Sequence, residues 1–159
     1  MKLLEKNDKE VVFWLHPDEH KALLLVLNQY PVLKENYQSL TKSQDPKLAE
    51  AAQELLRQSL AEQKAENLRF KQNFMVEGRH LKKSGRGWKM ILQAHEIERL
   101  LQVLNDVRVG LWYQLDCPEN TKPTSWLGED AEKLEKYWMM EISGALEWNL
   151  IELMENFGY

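Results

Sequence analysis

HEIERLLQVLNDVRVGLWYQL, His95 to Leu115, is the longest stretch in the chain that is helical by both period and composition. At 100° per residue, Ile97, Leu100, Leu101, Leu104, Val107, Leu111 and Leu115 fall in one apolar arc, and Glu96, Glu98, Arg99, Gln102 and Asp106 fall outside it. This is the pattern of a core-facing helix. It contains no proline, and Gly110 near the edge of the arc leaves room for a neighbour. Arg108 interrupts the pattern: it projects into the arc one turn past Leu104, with Asn105 and Trp112 beside it. An arginine among leucines must find hydrogen bonds.

The same pattern occurs earlier. Val12–Tyr30 set against Lys89–Val107 without gaps gives identities at Leu15/Leu92, Glu19/Glu96, Leu23/Leu100, Leu24/Leu101, Val26/Val103, Leu27/Leu104 and Asn28/Asn105. In each copy a β-prone run, Val11–Leu15 or Trp88–Leu92, leads straight into an amphipathic helix. A strand-helix unit repeated at about 11–30 and 88–107 is the expectation.

The remaining elements follow from local signals. Lys2–Glu5 and Val11–Leu15 read as strands joined by the polar run Lys6–Glu10, a hairpin that needs a third strand or helices to cover it. Pro17, followed by Asp18 and Glu19, starts a helix that runs to about Gln29 and stops before Pro31. Asp45-Pro46 opens a long helix to about Met75, whose stripe of Ala49, Ala52, Leu56 and Leu60 gives way to Gln63 and Asn67 before Phe70 and Phe74. Its middle therefore reads as solvated. Ser84-Gly85-Arg86-Gly87 reads as a flexible turn, and Asp116–Gly128, with Pro118 and Pro123, as a loop. A last helix, about Glu129–Asn156, carries Met139, Ile142, Leu146, Leu150 and Leu153 on one face with Trp138 and Asn149 at its flank. The expected fold is one domain over residues 1–159, mainly α with a small antiparallel β element: a helical bundle built around two strand-helix units.

Composition limits the function classes. With 159 residues and a formal net charge of −4, the chain can bury a full core and has no general attraction for nucleic acid or anionic membrane. The longest apolar run, Ala22–Leu27, is far short of the roughly 20 residues a bilayer requires, and the amino terminus lacks the layout of a secretory signal. A single cysteine, Cys117, forms no internal disulfide framework. A cytoplasmic protein without a cofactor is the expectation.

Three places could carry chemistry. His16-Pro-Asp-Glu-His20 spells an inverted zinc-peptidase string, but Pro17 starts the helix, leaving His16 as a cap and His20 on the apolar side, so no metal is expected. His80 and His95 show no readable partner. Asn105, Arg108 and Asn149 form either a small anion pocket or a structural network, closed by a glutamate such as Glu141, and the structural version is preferred. Arg69, Lys71, Arg79, Lys82, Lys83, Arg86 and Lys89 stand against the single acid Glu77 between residues 69 and 89. From this stretch Arg79, Lys82, Lys83, Arg86, Trp88 and Lys89 could hold phosphates by charge and a base by stacking, or simply face the acidic body. No catalytic triad or carboxylate pair is legible.

At ERLLQVLNDVRVGL and again at ALEWNLIEL, the chain resembles bacterial domain-of-unknown-function family number twenty-seventeen. The resemblance implies an amino-terminal strand and leucine-rich helix, then a glutamate, a leucine-rich helix with Asn-Asp-x-Arg, and a closing helix with tryptophan. These fall on Glu96, on Asn105, Asp106 and Arg108, and on the helix holding Trp138 and Trp148. It implies no established activity, but gene neighbourhood with the ClpS proteolytic adaptor hints at an accessory role in protein turnover. The reading that results is a non-catalytic interaction or regulatory protein with an unknown protein partner or as a homo-oligomer. The alternatives are a nucleic-acid-binding regulator or a small anion-binding protein centred on Arg108.

Overall fold

A computed structural model describes the backbone of residues 1–33, 46–115 and 130–156, and the side chains of the same residues except 46–53. The expectations for Asp45, Ala49, Ala52 and the Asp116–Gly128 loop with Cys117 lie outside the described residues. The elements are β1 (Lys2–Lys6), β2 (Val11–Leu15), α1 (Pro17–Gln29), α2 (Pro46–Phe74), β3 (Leu81–Ser84), β4 (Gly87–Leu92), α3 (Ala94–Gln114) and α4 (Ala131–Asn156). The fold is mainly α with a small antiparallel sheet.

The four strands pair antiparallel in the order β1-β2-β4-β3. Because side chains alternate along a strand, Val11, Phe13, Leu15, Leu81, Met90 and Leu92 are buried on the inner face, while Trp14, Lys82, Lys89 and Ile91 point outward. The helices pack on the inner side, and Val12, paired with Ile91 on the outer face, is also buried. Leu23, Val26 and Leu27 of α1, Ile97, Leu100, Val103, Leu104, Val107 and Leu111 of α3, and Leu146, Leu150 and Met154 of α4 complete the core with Phe74.

The stretch expected to be a flexible basic turn is instead a β-hairpin. β3 and β4 are joined by the two-residue turn Gly85-Arg86, with Ser84 paired to Gly87 and Gly85 at φ +60°, where a side chain is disfavoured. Gly87 answers a second need. A Cβ there would stand 2.5 Å from the Leu15 carbonyl oxygen and 2.5 Å from the Trp14 ring, so only glycine lets Trp14 lie across the hairpin.

Each central strand runs into its helix through a single capping residue. At α1 the His16 ring accepts the Asp18 N–H at 3.3 Å and Glu19 takes the His16 N–H at 2.7 Å. At α3, Glu96 likewise takes the Gln93 N–H at 2.9 Å. Both are capping boxes. Phe13 and Met90, which coincide when the two sequence stretches are aligned, are cross-strand partners in the middle of the sheet.

The middle of α2 is solvated at Gln63, as its sequence predicts, but not at Asn67. Asn67 is fully buried, donating to Asp106 at 3.3 Å and accepting from Arg99 at 3.1 Å, while Arg99 also reaches Glu66 at 2.6 Å. This polar seam joins α2 to α3. It also rotates the buried arc of α3 toward Val103 and Gly110, where Val32 occupies the space a Cβ would fill at 2.7 Å.

Candidate interaction surface

Rotation of the α3 arc decides the place of Arg108. Rather than turning inward among leucines, it sits at the edge of the arc, its side chain 45% exposed. Its aliphatic stem passes over Gly144 of α4, with Cδ 3.2 Å from where a Cβ would stand, and the guanidinium reaches water beyond. There Nε donates to Glu147 at 3.2 Å and Nη2 to Asn105 at 2.9 Å. Asn149 does not join this network: it is exposed and donates to the Ala145 carbonyl one turn earlier on its own helix. The glutamate that closes the network is Glu147, not Glu141.

α3 and α4 form the most extensive helix pair, brought close by small residues. Ser143 is buried and donates to the Leu104 carbonyl at 2.8 Å, and Gly144 follows it. On the outer side of this pair lies an open groove of about 620 Å³, lined by Arg108, Val109, Trp112, Met140, Glu141, Gly144 and Ala145. Val109 and Trp112 stand exposed in its lining, and the same two helices expose further large apolar side chains, Tyr113 from α3 and Leu134, Trp138 (54%) and Trp148 (67%) from α4. Trp138 and Trp148 carry the surface character that a sequence reading focused on the buried face of α4 misses. The signal was present in the spacing of a second apolar stripe on the same helix.

The basic residues are brought onto one hairpin but onto different faces. Lys82 and Lys89 are directly opposite each other on the outer face, and Arg86 occupies the turn. Trp88 points to the helix side, where it stacks on His20 with ring centroids 3.9 Å apart and has the Lys83 ammonium 5.5 Å from its ring. Partial burial, followed by the Lys83 charge, holds the His20 imidazole below its usual range. Arg79 leaves the group to donate to Asn73 at 3.1 Å. The aromatic on the outer face is Trp14, with the Lys2 ammonium 6.0 Å from its ring.

His80, for which the sequence shows no partner, is buried and has one. Its Nε2 lies 2.9 Å from the Glu96 carboxylate, and its ring stacks on Phe74 at 5.4 Å. Glu96 thus caps α3 and holds a histidine from the turn before β3. Burial opposes its ionisation, but the Gln93 N–H and the His80 ring outweigh that and keep its carboxyl below the ordinary range. Asp106 goes the other way: burial raises its pKa, with Asn67 and then Lys64 only partly opposing. With His16 and Glu19 committed to the cap and His20 to Trp88, the zinc-like string is dispersed, and the described residues hold no metal-binding group of three His, Cys, Asp or Glu. Among the described residues no helix is long and apolar enough to cross a membrane.

Residues 28–156 match the family model described as Domain of unknown function (DUF2017). The chain belongs to the DUF2017 family. In this DUF2017 protein the matched span takes in α2, the β3–β4 hairpin, α3 and α4, so the exposed groove lies wholly inside it, while β1, β2 and most of α1 precede it. No curated protein and no solved structure matches the chain.

Proposed function

We propose that this protein is a non-catalytic, cytosolic protein-binding module that docks a partner on the outer face of α3 and α4. The observation that carries the reading is the exposure of Trp138 and Trp148 on the helix that forms one wall of the Arg108 groove. Trp, Tyr and Arg dominate the energetics of protein interfaces, and contiguous exposed apolar surface of this kind marks interaction sites. An amphipathic helix with apolar residues on one side fits the groove. An anion fits it less well, because Glu141 lines the groove and Glu147 already neutralises Arg108. The family resemblance offers regulation of protein turnover as the setting; a changed half-life of short-lived proteins on deletion of the gene would support it.

The test is site-specific photo-crosslinking in living cells. A benzophenone side chain at Ala145 should give a discrete adduct, and one at the exposed Glu98 should not. Equal or absent adducts at the two positions would reject the reading.

One observation favours a second reading, a nucleic-acid contact on the outer sheet face. Lys82 opposite Lys89 places like charges in register, an arrangement that costs stability and that a bound phosphate would relieve. Binding to single-stranded RNA that weakens steeply with salt and disappears in Lys82→Glu/Lys89→Glu would support it. Absence of binding at low salt would remove it.

A further inference from the structure

The outer side of α4 carries Leu134, Trp138, Glu141, Ala145 and Trp148, separated by steps of four, three, four and three residues. At 100° per residue these fall within about 40° of one line. Leu134, Trp138 and Trp148 are exposed large hydrophobics, and Glu141 and Ala145 are exposed between them. The inner side of the same helix is buried through Ser143, Leu146, Leu150 and Met154. α4 thus has two apolar stripes, and a helix with apolar residues on both sides is built to be covered on both sides. A four-three spacing is the seam by which one helix packs along another.

Resting on the protein-binding reading, we propose that the occupant of this face is a second copy of the same chain, packed α4 against α4 antiparallel about a two-fold axis near Ser143. The stripe is close to symmetric about that point. Antiparallel packing sets Trp138 beside Trp148 of the second copy, Glu141 opposite Ala145 of the second copy, and Leu134 opposite Glu152 of the second copy. Every contact is made twice. Gly144 and Ala145 leave the centre without bulk, so the two helices can approach. Arg108 lies over Gly144 with its head in water, where Glu141 of the second copy would meet it. A parallel pair would instead set the two Glu141 carboxylates face to face, so charge selects the antiparallel arrangement.

The size is adequate. α4 spans 26 residues, a rod of about 39 Å. Two half-exposed tryptophans supply on the order of 300 Å² per copy. Leu134, Val109, Trp112 and Met140 beside them extend this toward the roughly 800 Å² per partner of a stable interface.

Sedimentation of the full chain should report twice the chain mass at about 100 µM, dissociating on dilution. Trp138→Lys/Trp148→Lys should remain monomeric at every concentration with an unchanged helical spectrum, and Glu141→Lys should weaken association about tenfold. In a Cys117→Ser background, mixing Leu134→Cys with Glu152→Cys should yield a disulfide-linked pair that neither protein forms alone. A monomer throughout, or self-linking of Leu134→Cys, overturns the proposal. If the chain is monomeric while the Ala145 benzophenone captures a different protein, the self-association fails and the protein-binding reading stands. If no adduct forms, both fail.

Discussion

Gly110 shows how one residue sets the relation between a helix and the chain that crosses it. Because Val32 fills the space a Cβ would need, at 2.7 Å, Gly110→Ala must push that segment off α3. A loss of roughly 1–3 kcal/mol is expected, read as a lowered urea midpoint at constant slope. Gly144→Ala meets only the flexible Arg108 stem at 3.2 Å and should cost less. Arg108 was legible as an irregularity in the helical period, and its pairing with Asn105 follows from three-residue spacing. Its exposure was not legible. The period gives the width of the apolar arc but not its rotation, which the buried Asn67 and the half-buried Val32 set from distant parts of the chain. His80 could not be read for the same reason: Glu96 is its neighbour only once β3 and β4 have paired.

At the level of elements, long helices and the apolar strands β2 and β4 were readable because period and composition agreed over many residues. β3 was not, since Leu81-Lys82-Lys83-Ser84 offers one buried apolar side chain and takes its strand form from pairing with β4. That pairing carries a testable cost. Lys82→Glu places opposite charges across the register with Lys89 and should stabilise the protein by about 0.2–1 kcal/mol, an effect that salt diminishes. The alternation between Phe13 and Met90 bears on the two strand-helix stretches, which we propose are copies of one unit. The return of Glu19 and of Glu96 to the N-cap backbone, the same in both, and the mutual pairing of these two residues support it. Phe13→Met and Met90→Phe should each destabilise, whereas the double exchange, keeping volume and swapping equivalent places, should recover most of the loss. Strictly additive losses in equilibrium unfolding would argue against it.

For the molecule as a whole, the two shifted carboxyls on α3 make stability depend on pH in opposite senses. Glu96 has a folded pKa below its ordinary 4.5, so the unfolded chain binds more protons in the window beneath that value. Its contribution is complete above pH 4.5 and is lost as pH falls through the folded value. Asp106 has a folded pKa above its ordinary 3.8, so in the window above that value the native state binds the extra proton. Its contribution is complete below pH 3.8 and is lost as pH rises through the folded value, which leaves the ionised carboxylate as a cost at neutrality. Glu96→Gln should therefore destabilise at pH 7 and converge on the parent in acid. Asp106→Asn, which keeps an acceptor for Asn67, should stabilise at pH 7 and likewise converge in acid. Urea midpoints of the parent and both variants across about pH 3 to 7 decide it. If the two variants displace the curve in the same direction at neutrality, the seam between α2 and α3 does not oppose ionisation of Asp106.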